Sequence, residues 1–368
     1  MSDQMLSQNE LLQSEYQKAK TFFAQSQPSF REKYGLHISF QIPQQLESLI
    51  TDSVSELLVE SNTTIPQVFC EDLWDMNKNS LLVYLIKKYY NSIHFIHVTN
   101  SHTKPLHITL EPQKSQKASS QILCILVEED VTAHIFIHTK GDALFLGQDV
   151  RVITKRGASA KILSIQNTST NTTCAFEKRS FQHESSSVDW FDLQVGGLYV
   201  KSNIYSLLQK PLSETTQKVL YATTHNQQYD LYTAALHMDK QTKSDIVTKG
   251  VITDTAKTLS QGLVQIQKNA WDSQGYEQQD ALLLSDTCEA DAIPNLEIHN
   301  HDVSCSHGST VGKIDEEKLF YLQSRGFTER EAKSLIVKGY FTPILDQIPD
   351  EQLRDEIEHK IDIKLSSE

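Results

Sequence analysis

The chain has 368 residues, of which 39% are hydrophobic, and its formal net charge at pH 7 is −13. This length allows a large buried core and two or three structural units. The acidic balance argues against nucleic acid or an anionic membrane as the main partner, and no apolar stretch has the length of a membrane span.

The N-terminus and the cysteines both indicate a reducing compartment. The first five residues contain neither a basic region nor an apolar run, so no secretory signal is predicted and we expect a cytoplasmic protein. The cysteines are odd in number, scattered and without a C-x-x-C pair, which predicts free thiols. They are Cys70, Cys124, Cys174, Cys288 and Cys305.

Residues 1–92 are predicted to be mostly helical, with connecting loops. Ser7 and Glu10 have the spacing of a capping box and predict a helix that runs to about Phe23. A second helix is predicted near residues 81–90. It has apolar residues on nearly all sides, which indicates that it is packed.

The sequence pattern of residues 93–312 is typical of short β-strands. Apolar runs such as 122–127 and 134–138 are separated by Gly, Asp and Asn, and Gly141 and Gly262 are interpreted as turn positions. This pattern predicts an all-β body. A sandwich, a barrel and a solenoid all remain open, although the lack of two-residue hairpin signals favours the solenoid.

Residues 313–368 are predicted to form helices. Asp315 opens the first helix, which places acidic residues at its positive end, and Gly326 ends it. Thr328 begins the next helix with a second capping box. Pro343 is predicted to lie in the first turn of a further helix.

The last helix has one narrow apolar stripe among charged residues. Such a small helical segment buries little against itself, so we expect it to dock on the β body or on another protein. The stripe consists of Leu353, Ile357 and Ile361.

The stretch 305–308, with the sequence Cys-Ser-His-Gly, is the main candidate site. In a strand, Cys305 and His307 point to the same face, so both can reach one metal ion. A structural metal usually needs four protein ligands, which makes the pair half of a site. On spacing alone, a buried small Cys305 and an inert His307 are the simpler interpretation.

Two further histidines precede this stretch, each an even number of residues before His307. His299 and His301 would extend the line of ligands if one strand ran unbroken through them. Asn300 and Asp302 favour a turn at this place instead.

The segment 308–313 has some likeness to a phosphate-binding P-loop. It has three residues between its glycines instead of four, and Ile314 follows Lys313 where a Ser or Thr is required. No ATPase site is therefore predicted, and Gly308 and Gly312 are interpreted as turn residues between the strand and the helix.

Hydrolytic chemistry has little support in the sequence. There is no G-x-S-x-G nucleophile elbow. A β-solenoid enzyme that acts on polysaccharide would need paired carboxylates, and the acidic residues between 286 and 291 are explained more simply as a solvated loop.

Several motifs between residues 281 and 341 occur together in one protein family. They are Leu282-Leu283-Leu284-Ser285, Pro294-x-Leu296-Glu297-Ile298, Asp302-Val303-x-Cys305-Ser306-His307-Gly308-x-Thr310-Val311-Gly312 and Asp315-Glu316-Glu317-x-Leu319-Phe320-Tyr321-Leu322-x-Ser324-Arg325-Gly326. This segment resembles the SufB/SufD family of iron–sulfur cluster assembly proteins, and SufD most of all. His301 departs from the family, which usually has an acid there.

The resemblance implies a mainly β fold. Its core would be a right-handed parallel β-helix over residues 93–312, with helical segments at 1–92 and 313–368. The implied function is that of a non-catalytic scaffold subunit of the SUF complex. ATP hydrolysis would take place in a partner.

The resemblance also implies partners and a site. The chain would pair with SufB and bind the SufC ATPase through helices at about 315–345, and self-pairing of the isolated chain stays open. Cys305 and His307 would contribute to a cluster-assembly or iron-entry site at the SufB–SufD interface. No tightly bound cofactor is expected, only transient iron or a nascent cluster, and flavin binding is undecided. The alternatives are a SufB-like direct sulfur acceptor and, less favoured, the polysaccharide enzyme.

Overall fold

A computed structural model describes residues 5–7, 64–66, 85–86, 89–102, 104–112, 117–346, 348 and 351–366. Two short strands near the N-terminus, β1 (Met5–Ser7) and β2 (Thr64–Pro66), pair antiparallel. The helix predicted from Ser7 lies outside the described residues beyond that position. Of the helix predicted at 81–90, Leu85 and Ile86 are helical and buried, and Tyr90 already belongs to the next strand.

Two eight-stranded sheets form the body of the protein. Sheet A contains β3 (Tyr90–Val98), β5 (Ala118–Val127), β7 (Phe145–Thr154), β9 (Thr173–Gln182), β11 (Tyr199–Leu208), β13 (Gln228–His237), β15 (Lys257–Ile266) and β17 (Glu289–Ile298). Sheet B contains β4 (Leu106–Leu110), β6 (Thr132–Gly141), β8 (Ser159–Thr168), β10 (Ser187–Gln194), β12 (Glu214–Thr223), β14 (Lys243–Ile252), β16 (Ser273–Leu283) and β18 (Val303–Lys313).

Consecutive strands alternate between the two sheets, and each strand pairs in parallel with the strand two places along the chain. Tyr199 of β11, for example, is the register partner of Gln228 in β13. The chain therefore winds as a parallel β-solenoid. This confirms the prediction of an all-β body and the preference for a solenoid over a sandwich or a barrel.

Alternate side chains of each strand point into the space between the two sheets. The main buried cluster includes Val150, Ile204 and Leu231 from sheet A together with Ile162 and Val219 from sheet B. Because the side-chain period of a strand is two, every turn of the solenoid adds one layer to the same continuous core.

Corners that lead from sheet A to sheet B share one backbone conformation, in which one residue has a positive φ angle. Ser185, Leu212 and Gln241 lie at equivalent corners and have φ values of 54°, 60° and 58°. The N–H group of Leu212 donates to the carbonyl oxygen of Lys240 in the next turn at 3.3 Å, and that of Gln241 donates to Trp271 at 2.9 Å. These stacked bonds offset the cost of a left-handed conformation in residues with a Cβ atom.

Gly262 corrects one prediction, because it lies in the middle of β15 and not in a turn. A Cβ atom at this position would overlap with the carboxylate of Glu277 on β16. The glycine therefore leaves room for the close approach of a side chain from the facing sheet.

The interior contains a buried histidine with two hydrogen bonds. His237 ends β13, and its ring nitrogens lie 2.7 Å from Oγ1 of Thr242 and 2.9 Å from Oγ of Ser244. Burial lowers the pKa of His237 to about 4. The folded protein therefore holds this ring neutral at pH values where an exposed imidazole takes up a proton.

We expect His237 to make the fold sensitive to acid. In the unfolded chain the ring binds a proton below its ordinary pKa of 6.5, so stability is lost as the pH falls from 6.5 towards about 4. The loss is about 3 kcal/mol at most, at about 1.4 kcal/mol per pKa unit. The free energy of unfolding is measured in urea at neutral and at acid pH. In His237→Gln this loss of stability in acid should be absent. The same substitution at exposed His299 should keep it, and equal pH profiles for all three proteins would contradict the expectation.

Three helices follow the last strand: α1 (Glu316–Ser324), α2 (Glu329–Leu345) and α3 (Glu351–Ser366). Asp315 caps α1 and accepts hydrogen bonds from two backbone N–H groups, and the capping box of Thr328 and Glu331 begins α2. Both helix starts were predicted, and both are confirmed.

The helix start predicted at Pro343 is wrong. Pro343 lies inside α2, within the final turn, and Thr342 donates its hydroxyl hydrogen to the carbonyl oxygen of Lys338 at 2.7 Å. The helix ends at Leu345, only two residues after the proline, so the lost hydrogen bond and the clash of the proline ring affect only its final turn.

Helices α2 and α3 pack on the outer face of sheet B. Val337 and Phe341 of α2 and Ile357 and Ile361 of α3 are buried in one cluster with strand residues such as Leu220. This confirms the apolar stripe at Ile357 and Ile361 and its docking on the β body. Within the described part of the chain, no helix is long and apolar enough to cross a membrane.

Candidate functional site

Cys305 and His307 lie on β18, the last strand of sheet B. Their register partners on β16 are Gly275 and Glu277, both of which are buried on the inner face of the sheet. Cys305 also packs against an interior cluster that includes Val264. Both side chains therefore start on the same face of β18, as the i and i+2 spacing predicted, and this face is the inner one.

The two side chains differ in exposure. Cys305 is half-buried, and burial raises the pKa of its thiol despite a hydrogen bond with the backbone of Gly275. His307 is exposed. The thiol is therefore protonated at neutral pH unless a cation or a partner group favours the thiolate, whereas the imidazole is accessible from outside.

His299 and His301 do not continue the line of ligands. They lie in the connection between β17 and β18, where Nδ2 of Asn300 donates to the carbonyl oxygen of Lys268 at 2.8 Å. The N–H group of Asp302 donates to Oδ1 of Asn300 at 2.9 Å. The predicted turn is therefore confirmed.

Glu277 is the residue at this site that the sequence reasoning missed. Its side chain is only 3% exposed, and its Oε1 atom accepts a hydrogen bond from Nε2 of Gln279 at 2.6 Å. Its Oε2 atom is buried and accepts no side-chain hydrogen bond within the described residues, while the backbone N–H group of Asn295 lies near the carboxylate and favours its charged form. Burial raises the pKa of Glu277 to about 7. The available signal was Gly262, a glycine inside a strand that makes room for this carboxylate.

The segment that has some likeness to a P-loop is part of β18. Gly308 and Gly312 were predicted to be turn residues, and both are strand residues instead. A Cβ atom on Gly308 would lie 2.5 Å from Oε1 of Gln278, so this glycine allows a side chain to lie across it. Lys313 forms an ion pair with Asp286 at 2.6 Å.

The final turn of the solenoid is open. β17 and β18 end their sheets, and among the described residues no further strand pairs with their outer edges. Ile298 on β17 is 37% exposed and Val311 on β18 is 42% exposed. Strand edges of 10 and 11 residues present unpaired N–H and C=O groups that can pair with another chain.

The site does not form a complete metal centre within the described residues, because no three Cys, His, Asp or Glu side chains there are arranged to hold one ion. Cys305 and His307 supply a soft sulfur and an imidazole nitrogen, which suit iron. The open edges of β17 and β18 lie beside them, where a second chain can bring further ligands.

A second surface lies on the helices. α1 has no buried residue, and Phe320 is 72% exposed. Tyr321, Phe327 and Leu335 are further large apolar side chains of this region that are exposed. Exposed large apolar side chains are candidates for contact with a partner.

Comparisons with known proteins identify the family of this chain. The family model described as "SUF system FeS cluster assembly, SufBD core domain" matches residues 109–340. An iron-sulfur cluster assembly SufBD family protein of Mycobacterium bovis is 32% identical over 203 residues, which are 55% of this chain and 24% of the relative.

Two further relatives carry the same description. The protein of Staphylococcus epidermidis is 31% identical over 203 residues, 55% of this chain and 43% of the relative. That of Mycobacterium leprae is 32% identical over 224 residues, 61% of this chain and 25% of the relative. The chain thus covers less than half of each relative. Because the family model matches more than half of the chain, this protein belongs to the SufBD family of the SUF system for iron–sulfur cluster assembly.

Proposed function

We propose that this chain is a non-catalytic scaffold subunit of the SUF complex and occupies the SufD position. It pairs with SufB at the open end of the solenoid and binds the SufC ATPase through α1 and the start of α2. Cys305 and His307 contribute to a site for iron or a nascent cluster at the interface with SufB, and these species are cargo and not resident cofactors. We place the protein in the cytoplasm, because Cys124, Cys174, Cys288 and Cys305 are free thiols.

The observation that carries this proposal is the position of the Cys–His pair at an open end. The two side chains lie on the inner face of the last strand, and no described strand pairs with the outer edge of either terminal strand. A partner that adds strands to these edges also brings its own side chains next to Cys305 and His307. An incomplete ligand set and an unpaired edge thus have the same explanation.

The difference between the two side chains favours the SufD position over a SufB-like direct sulfur acceptor. A sulfur acceptor needs an accessible thiol that ionises easily, whereas Cys305 is half-buried and burial raises the pKa of its thiol. His307 is exposed, and a neutral imidazole binds iron without losing a proton.

Native mass spectrometry of this chain mixed with SufB and SufC tests the proposal. We expect one species that contains all three proteins, and a self-paired species when the chain is alone. A chain that stays separate from SufB under these conditions would contradict the proposal. After sulfur donation, a persulfide found mainly on Cys305 would support the acceptor role instead.

A further inference from the structure

Among the described residues, one buried acid forms no ion pair. Five carboxylates of the described chain are buried: Asp149, Glu177, Asp192, Asp230 and Glu277. Four of them form ion pairs with buried cations: Asp149 with Arg151 and Arg179, Glu177 with Arg179, Asp192 with Lys178, and Asp230 with Lys201. Glu277 forms no ion pair with any described residue.

An unpaired buried carboxylate is costly, so its presence calls for an explanation. Glu277 is held in a specific place. Gly262 leaves the space for its carboxylate, and Gln279 donates a hydrogen bond to Oε1 at 2.6 Å. The Oε2 atom is buried and makes no side-chain hydrogen bond among the described residues, and the nearest backbone donor is the N–H group of Asn295.

Glu277 also lies next to the candidate site. It is the register partner of His307 on the neighbouring strand, and both side chains leave the inner face of sheet B. Neighbouring strands are about 4.8 Å apart. The two residues therefore lie on adjacent strands, with Glu277 one strand further from the open end.

We propose that Glu277 is the counter-charge for a ferrous ion that enters at Cys305 and His307. This inference rests on the proposed function and names the cargo of the same site. A carboxylate oxygen favours a divalent cation and disfavours an anionic sulfur species. Since no three ligating side chains of the described chain are arranged to hold one ion, Glu277 acts on the ion through its charge and is not part of a preformed ligand set.

The test measures anaerobic binding of Fe²⁺ to the full chain in complex with SufB, by competition with a coloured chelator. We expect Glu277→Gln to bind Fe²⁺ at least about tenfold more weakly. Its melting temperature and its assembly with SufB should be retained. Glu277→Asp keeps the charge and should stay within about threefold of the wild type.

Glu297→Gln is the matched control. Glu297 lies on β17 in the same final turn, but it is exposed and accepts a hydrogen bond from Nε2 of Gln265 at 2.6 Å. This variant removes the same charge from outside the interior and should bind Fe²⁺ as the wild type does.

Two results would overturn the role of Glu277 alone: wild-type Fe²⁺ affinity in Glu277→Gln, or equal weakening in Glu297→Gln. The Fe²⁺ affinity of His307→Ala is measured in the same experiment. If that variant also binds Fe²⁺ normally, or if the wild-type complex binds none, then the proposed site itself fails together with this inference.

Discussion

His307→Ala should lower the rate of iron–sulfur cluster formation by the assembled complex at least about tenfold. The imidazole is the exposed member of the Cys–His pair and can bind iron without deprotonation. An exposed side chain on the terminal strand contributes little to the core, so the variant should fold and pair with SufB normally. Growth of the visible absorbance of the cluster in the reconstituted complex measures the rate.

His301→Ala is the control for this experiment. His301 is also exposed and lies six residues earlier, in the connection before β18 and not on the inner face of the strand. It should form clusters at the wild-type rate. Wild-type rates in His307→Ala, or an equal loss in both variants, would rule out a specific role for His307.

Placing aspartate at Phe320 and Tyr321 together should abolish the capture of SufC. These side chains are 72% and 55% exposed on a helix without buried residues, so the change leaves the core intact. Exposed aromatic rings that become buried in an interface often contribute about 2 kcal/mol or more each. A loss of at least about a hundredfold in affinity follows, and a pull-down or calorimetric titration measures it.

The control variant is Tyr276→Asp. Tyr276 is a comparably exposed aromatic residue, 43% exposed, but it lies on β16 of the solenoid and not on the helices. SufC should bind this variant normally. Normal SufC binding by the Phe320 and Tyr321 variant would show that the ATPase uses another surface.

These point variants test SufC binding more clearly than removal of all residues after 312. Helices α2 and α3 cover the outer face of sheet B with a continuous apolar cluster. Truncation would expose that cluster and destabilise the solenoid, so a loss of binding would have two explanations.

Local patterns predicted the features that depend on neighbouring residues. Short apolar runs, the capping box at Thr328 and the paired spacing of Cys305 and His307 all appear in the structure as expected. Each depends on a few consecutive residues and on the period of a strand or helix.

The features that were missed depend on contacts between distant segments. Gly262 looks like a turn residue until the carboxylate of Glu277, fifteen residues later, is placed against it. Glu277 itself lies among polar residues, so the sequence pattern around it does not indicate that it is buried. Pro343 was assigned to a helix start from local preference, but packing of Phe341 and Ile344 on sheet B keeps that turn in α2.

The way α2 and α3 lie on the solenoid has a mechanical consequence. Their buried residues contact side chains of sheet B, such as Phe136 on β6 and Val251 on β14, and β18 belongs to the same sheet. Any displacement of α2 therefore bears first on the sheet that carries Cys305 and His307. The helices lie along sheet B and the Cys–His pair lies on its last strand, so one sheet links the two regions.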